Sequence, residues 1–447
     1  MPTEQVKEQE QLKAQVKDGK DVHGHAPFTH GVLHSVFPPA LLSAVRRQEN
    51  DLFNFYQSKE LSGTSDPALR SLLDSLYSPA FLAKIAALAD VPKLLPGKMH
   101  VSAHRYPKNG YLLCHDDDIM ASAGISRRIA FILYLVEEDW SDEKDGGSLL
   151  LYQKPDGSEN STWTTPVKIT PSFGSFAFFK VGQASLHCVD EVIGNRERVS
   201  ISGWLYGPSD PQSCSQTFTK PLAELPLVHS LADPPCLEQM INPIYLSESS
   251  IASIQSHFID NSAIDLYSFL NPETYKSLVQ ACDEAQWTLS RAGPPTLQWF
   301  ASPDTQHPTP RIMQSVSQLL TCPAFIQLLE RMTSLPLQAH TQDVSCLARR
   351  FTEKCYTMLK DPAESAALSV VLDAACPDGP LDGGQAVYVY GEDTLLCTER
   401  RGNALRVVLM DPGVHAFTRY VRAGSSGGLV EFRVHGIRGL DLDGDNE

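Results

Sequence analysis

Two stretches of this chain, 244 residues apart, open a helix in the same way. Tyr77-Ser78-Pro79-Ala80-Phe81-Leu82 recurs as Thr321-Cys322-Pro323-Ala324-Phe325-Ile326, and Val91-Pro92 recurs at the same offset as Leu335-Pro336. Asp145-Gly146-Gly147 before an apolar run has a counterpart in Asp382-Gly383-Gly384 before Ala386 to Tyr390, and Phe37-Pro38-Pro39 resembles Leu270-Asn271-Pro272. A period this long signals a duplicated domain rather than a solenoid. At 447 residues the chain also exceeds what one ordinary core supports. Two related domains are therefore expected.

The texture of each half gives the fold class. Pro38 and Pro39 start a helix carried by Leu41, Leu42, Val45, Leu52 and Phe55, and a second helix runs from Pro79 through Leu88 until Val91-Pro92 stops it. After Met99 the apolar runs become short, β-branched and aromatic: Ile129 to Val136, Ser148 to Tyr152, Phe176 to Val181 and Val199 to Tyr206. Turn signals such as Lys108-Asn109-Gly110 and Asp145-Gly146-Gly147 separate them. Helices followed by many short strands indicate α+β, with a sandwich or barrel-like β core. The expected organisation is a charged tail over 1–25, a first domain over 26–207, a Pro- and Ser-rich linker over 208–250 and a second domain over 251–447.

Charge narrows the partners. Lys and Arg number 37 against 53 Asp and Glu, a formal net charge of −16. Such a surface repels bare nucleic acid and anionic membrane and attracts a basic protein segment. No apolar run reaches the roughly 18–20 residues of a bilayer span. The polar stretch Glu4 to Lys20 has no apolar core of a secretory signal, and the scattered cysteines contain no C-x-x-C pair. A cytoplasmic or nuclear protein with reduced thiols is expected.

The densest group of potential ligands is Cys114-His115-Asp116-Asp117-Asp118. On an extended strand His115 and Asp117, two apart, project from one face and can offer an imidazole and a carboxylate to one metal ion. The strongest candidate for a third ligand is His187, just past the run Phe176 to Val181. Two His and one carboxylate on one face of a six-coordinate metal is the ligand set of non-haem Fe(II) oxygenases, and it leaves room for a chelating cosubstrate and O2. Arg198, opening the run Arg198-Val199-Ser200-Ile201-Ser202-Gly203-Trp204, is a cation suited to gripping a carboxylate in bidentate fashion. Singly, each has a plainer reading: a solvated acidic loop, a structural histidine, a surface arginine. Their joint spacing favours the site.

The segments Tyr106-Pro107-Lys108-Asn109-Gly110, His115-x-Asp117, Arg127-Arg128-Ile129-Ala130-Phe131-Ile132-Leu133-Tyr134-Leu135, Asp145-Gly146-Gly147, His187, Arg198 and Trp204 together resemble the 2-oxoglutarate- and Fe(II)-dependent prolyl hydroxylases. Within these they look most like the eukaryotic ribosomal prolyl hydroxylases. The resemblance covers roughly residues 28 to 207 and implies two tandem double-stranded β-helix (jelly-roll, cupin-like) domains with supporting helices, the first catalytic and the second degenerate. It implies Fe(II) held by His115, Asp117 and His187, and 2-oxoglutarate held by Arg198 with a hydrogen bond from Tyr134. Tyr106 would lie near the cosubstrate or the target proline, and Arg127 and Trp204 would form walls. The implied reaction consumes O2, with ascorbate as a supporting reductant, releases succinate and CO2, and hydroxylates a proline in a small-subunit ribosomal protein near the decoding centre.

Sliding the first domain onto the second sets Lys360-Asp361-Pro362 over the His115 motif, His415 near the slot of His187, and Gly427-Gly428 over Arg198. The second half is therefore expected to hold neither iron nor 2-oxoglutarate. Two alternatives stay open: a hypoxia-type transcription-factor prolyl 4-hydroxylase, which shares the Tyr-Pro-x-Asn-Gly segment, and a binding scaffold that kept the fold and lost turnover.

Overall fold

The computed structural model describes residues 22–24, 28, 30–33, 56–118, 124–153, 164–209 except 183, and 236–439 except 290–297, 305, 339–343, 358–365, 377–381, 392 and 426. The helix expected after Pro38 and the motif Lys360-Asp361-Pro362 lie outside the described residues. Contacts divide the chain into two units, Met1–Thr219 and Lys220–Glu447.

In the first unit two helices precede the strands. Helix α1 (Pro67–Leu76) starts where the Asp66 carboxylate accepts the Leu69 amide at 2.8 Å, with Pro67 in the first turn. Its Leu69, Leu72, Leu73 and Leu76 fall at helical spacing and are buried. Helix α2 (Pro79–Ala89) starts on Ser78 and ends at Asp90, whose φ of 54° turns the chain out of the helix.

Eleven strands follow the alternation read above: β1 (Val22–Gly24), β2 (His30–Leu33), β3 (Tyr56–Gln57), β4 (Val101–Tyr106), β5 (Leu112–His115), β6 (Ile125–Tyr134), β7 (Leu149–Gln153), β8 (Thr164–Ile169), β9 (Phe176–Lys180), β10 (His187–Val189) and β11 (Arg198–Pro208). They form a seven-stranded antiparallel sheet in the order β1-β2-β9-β6-β11-β4-β3 and a four-stranded one in the order β5-β10-β7-β8. Strand β6 shows why two layers pack. Its Ile129, Phe131 and Leu133 face α1 and α2, while Ala130, Ile132 and Tyr134 face Leu149 and Leu151 of the smaller sheet.

Two expected boundaries need correction. Val22–Gly24, placed in the tail, pairs with β2 in register, Val22 opposite Val32. The upper part of the expected linker is folded: Leu237–Met240 is a helical turn, and Met240 and Ile241 are buried in the second core. The Pro and Ser content there marks helix starts, as at Asn242-Pro243 and Ser247, rather than a loose connection.

The second unit places helices α3 (Glu248–Asn261), Pro272–Glu284, Arg311–Thr321 and Pro323–Thr333 before or against its strands. The last two bend by 52° at their junction, as α1 and α2 bend by 47°. Its large sheet runs in the order β12 (Ala263–Tyr267), Ala404–Met410, Ala367–Ala375, Leu429–His435, Ser345–Phe351, Ala301–Pro303, Trp287–Leu289, and a smaller one orders Asp393–Thr398, Ala386–Tyr390 and Val414–Thr418. Both Asp-Gly-Gly turns take positive φ at their glycines, 68° and 72° in the first unit and 96° and 72° in the second.

The space facing the smaller sheet of the second unit is filled by ions. Glu431, fully buried, accepts from Arg349 Nε at 2.8 Å and from Arg400, and Arg400 Nε also reaches Asp373 at 2.9 Å. The arginines hold the Glu431 carboxyl well below its ordinary value of 4.5. A carboxyl with a depressed native pKa adds stability above its unfolded value and loses that contribution as pH falls through the native one. Glu431→Gln is expected to strand Arg349 and Arg400 without their shared counter-charge, at a cost of about 3–5 kcal/mol. Urea melts at pH 7 should show the second unit weakened in this variant. The difference from wild type should shrink as pH drops below 4.5.

Candidate active site

The centre is set by strand register. His187, the first residue of β10, stands directly opposite His115, the last residue of β5. Asp117 lies in the loop beyond β5, so the carboxylate arrives from the turn and not from the strand expected to carry both. His187 Nε2 is 3.5 Å from Asp117 Oδ2, His115 Nε2 is 3.9 Å from Asp117 Oδ1, and the imidazole centroids are 4.3 Å apart. One ligand atom from each residue falls within 4.8 Å of the others, the one such cluster of His, Cys, Asp or Glu among the described residues.

Hydrogen bonds orient both rings. His115 Nδ1 donates to Leu113 O at 2.8 Å and His187 Nδ1 to Ser185 O at 2.9 Å. With protons committed to Nδ1, both Nε2 lone pairs face Asp117, the tautomer a metal requires. Burial, then His115, pushes the His187 pKa down to about 4, so its ring is neutral at physiological pH. The donor set fits a divalent iron.

Arg198 opens β11, paired with Tyr106 at the end of β4, and is 1 % exposed. Its Nε donates to Gly147 O at 2.8 Å and Nη1 lies 3.5 Å from Ser200 Oγ, whereas Nη2 is buried without a hydrogen-bond partner. Among the described residues no carboxylate pairs with this guanidinium, which sits 4.8 Å from the Tyr106 ring centroid and 5.0 Å from that of Tyr134. The Tyr134 hydroxyl, also buried, has no well-formed hydrogen bond and is raised in pKa by burial, with Arg198 opposing. Gly147 explains the Asp-Gly-Gly turn: a Cβ there would meet Arg198 Cδ at 2.8 Å, and its φ of 72° disfavours any L side chain.

A cavity of about 250 Å³ connects these groups, lined by His115, Asp117 and His187 at one end, Arg198 and Tyr106 at the other, and Ile132, Phe179 and Trp204 between. Trp204 belongs to this wall. Arg127 lies behind it, its guanidinium 3.6 Å from the indole centroid and Nη1 3.5 Å from Asp117 O. Sequence reasoning missed His104. It shares a face of β4 with Ser102 and Tyr106, lines the cavity, bonds Ser102 Oγ through Nε2 at 2.8 Å and has its pKa lowered to about 4 by burial and then Arg198. The period-two alternation back from Tyr106 carried that signal.

The second unit differs at the two matching positions that fall among the described residues, those of His187 and Arg198. Where the first pairs His187 with Leu151, four residues past Gly147, the second pairs Ala416 with Tyr388, four past Gly384. His415, expected near that slot, is one residue away and so projects from the opposite face. The first residue of the Leu429–His435 strand, opposite Phe351, is Leu429, which takes the place of Arg198 instead of Gly427 or Gly428. His415 thus lies near the slot as expected but faces away from it, Leu429 replaces the expected glycines, and neither Ala416 nor Leu429 can bind a metal or a carboxylate.

Comparison with known proteins agrees with this geometry. Residues 101–206 match the 2OG-Fe(II) oxygenase superfamily, and residues 232–435 match the oxoglutarate and iron-dependent oxygenase degradation C-terminal family. The chain is 29% identical to prolyl 3-hydroxylase OGFOD1 of Xenopus laevis, over 88% of this chain and 83% of that protein. It is 31% identical to prolyl 3-hydroxylase sudestada1 of Drosophila melanogaster, over 84% and 74%. It is also 31% identical to prolyl 3,4-dihydroxylase OGFOD1 of Ostreococcus tauri, over 50% and 48%. A likeness of this identity across most of both chains makes the protein a member of the 2-oxoglutarate- and Fe(II)-dependent prolyl hydroxylases of the ribosomal type, the family of these prolyl 3-hydroxylases.

Proposed function

We propose that this prolyl hydroxylase acts on a proline of a small-subunit ribosomal protein near the decoding centre, adding its hydroxyl at C3 of the ring. The observation that carries the catalytic part is the meeting of His115, Asp117 and His187 at one end of a cavity whose other end holds Arg198 with a buried, unpartnered Nη2. The net charge of −16 favours a basic protein target, and the relatives, named as prolyl 3-hydroxylases, support a proline modified at C3. We further propose that both units are double-stranded β-helix domains, a reading supported by their common strand order, and that the second is non-catalytic.

His115, Asp117 and His187 would hold Fe(II) through one face, leaving its other face to ligands inside the cavity. Bound iron, 2-oxoglutarate and O2 supply the oxidising power for C–H hydroxylation, with succinate and CO2 released. The chain's own groups then bind, orient and keep water out. Arg198 would take the distal carboxylate of 2-oxoglutarate through Nη2, supplying the counter-charge this buried cation otherwise lacks. The Tyr134 hydroxyl would donate a second hydrogen bond to the same group, and Tyr106 would pack on the guanidinium. Leu112, Ile132, Leu149, Phe179 and Val189 wall the cavity with apolar surface. Trp204, braced by Arg127, presents a flat face suited to a proline ring.

Two outcomes test this. Purified protein with Fe(II), 2-oxoglutarate and the candidate ribosomal protein should add one oxygen atom at a proline by intact-mass and fragment analysis. His115→Ala should abolish the addition, and a hypoxia-factor peptide modified in place of the ribosomal protein would redirect the assignment. Gly147→Ala should displace Arg198 and raise the KM for 2-oxoglutarate about tenfold or more. Metal affinity, followed by Mn(II) titration, should change little, because no metal-centre contact moves.

A further inference from the structure

Strand β12 closes one side of the second unit's large sheet and pairs only with Ala404–Met410 among the described residues. The strand in the same place in the first unit, β2, is itself covered by β1. The direction of the free groups follows from one bond. Leu409 N donates to Ser262 O at 2.8 Å, so position 262 faces its neighbour, and in an antiparallel ladder that orientation alternates. Ala263, Asp265 and Tyr267 therefore turn their main-chain N–H and C=O groups away from the sheet. The Tyr245 hydroxyl, which donates to Tyr267 O from outside, agrees.

Beside this edge runs a groove of about 530 Å³, between α3 and the Asp393–Thr398 strand. Ile254, Tyr267, Leu396 and Val408 give it apolar walls, and its one buried cation, Arg406, is neutralised by Asp265 at 2.9 Å. Tyr267, a large aromatic, is 49% exposed. The exposed charges on the bounding elements are mostly acidic. Asp260, Asp393 and Glu399 stand against Arg401, which lies 5.2 Å over the Tyr267 ring, and His257.

We propose that this edge receives an extended, basic segment of a partner protein as an added strand. Main-chain bonds would form to Ala263, to Asp265 and to the N–H of Tyr267, whose carbonyl Tyr245 already holds, apolar side chains would enter the groove at every second position, and intervening Lys or Arg would face the acidic rim. The site is separate from the iron centre and does not depend on the assigned target.

The test uses the full-length protein and a synthetic peptide alternating lysine and valine, with a glutamate–valine peptide as control. Saturable binding of the basic peptide is expected, with slowed amide exchange at Ala263, Asp265 and Tyr267. Tyr267→Pro removes an outward N–H without touching the ladder, and Leu396→Lys adds a cation to the groove wall. Each should weaken binding about tenfold. Prolyl hydroxylation and melting temperature, unchanged in both variants, would show that the fold is intact. Absent saturation, protection elsewhere or equal binding of the acidic peptide would overturn the proposal. Concentration-dependent self-association lost in both variants would do so too, by showing a second copy of this chain on the edge.

Discussion

The pairing of β5 with β10 governs the site. Because His187 lies opposite His115, two imidazoles from segments 72 residues apart share one face of a four-stranded sheet. Each is locked by a bond from Nδ1 to a carbonyl two residues before it in its own chain segment. A shift of one residue in this pairing would send one ring to the other face and dissolve the cluster. Asp117 needs only to follow His115 out of the strand to complete it.

The opposite end of the cavity rests on a second constraint. Arg198 is held by a carbonyl and a hydroxyl, both neutral, and by two tyrosine rings, so its charge stays uncompensated. Had an acid occupied that position the guanidinium would be satisfied and useless for recognition. The second unit, with Leu429 in the place of Arg198, shows satisfied arginines at other positions. On a sheet of the same strand order, Glu431 and Asp373 neutralise Arg349 and Arg400, and the interior becomes a closed ionic core. Ligand sites keep buried polar groups unsatisfied, whereas a structural core satisfies them. The two halves of this chain hold one layout in both conditions.

Much of this could be read from residues. Helix α2 begins at Pro79 as its Ser-Pro start requires, and the turn Asp145-Gly146-Gly147 falls where strand signals placed it. His115, Asp117, His187 and Arg198 stood out through their joint spacing among apolar strands, since each alone has a plainer structural reading. Other features depend on pairings no local pattern encodes. The three-residue strand Val22–Gly24 has too little apolar character to announce itself and exists through β2. His104 looked unremarkable until β4 was laid beside β11. The position equivalent to Arg198 in the second unit is Leu429 and not Gly427 or Gly428, and His415, near the slot of His187, faces away from it, since sliding one sequence over another ignores the register that decides facing. The stretch after Leu237 read as linker because prolines and serines mark helix caps and loops alike.

The most direct check is anomalous diffraction at the metal edge from crystals grown with Fe(II) excluded and Mn(II) supplied. A single peak is predicted between His115 Nε2, His187 Nε2 and an Asp117 carboxylate oxygen, with both Nδ1 atoms still on main-chain carbonyls. A metal bound elsewhere, or one bound through Nδ1 of either histidine, would contradict the account.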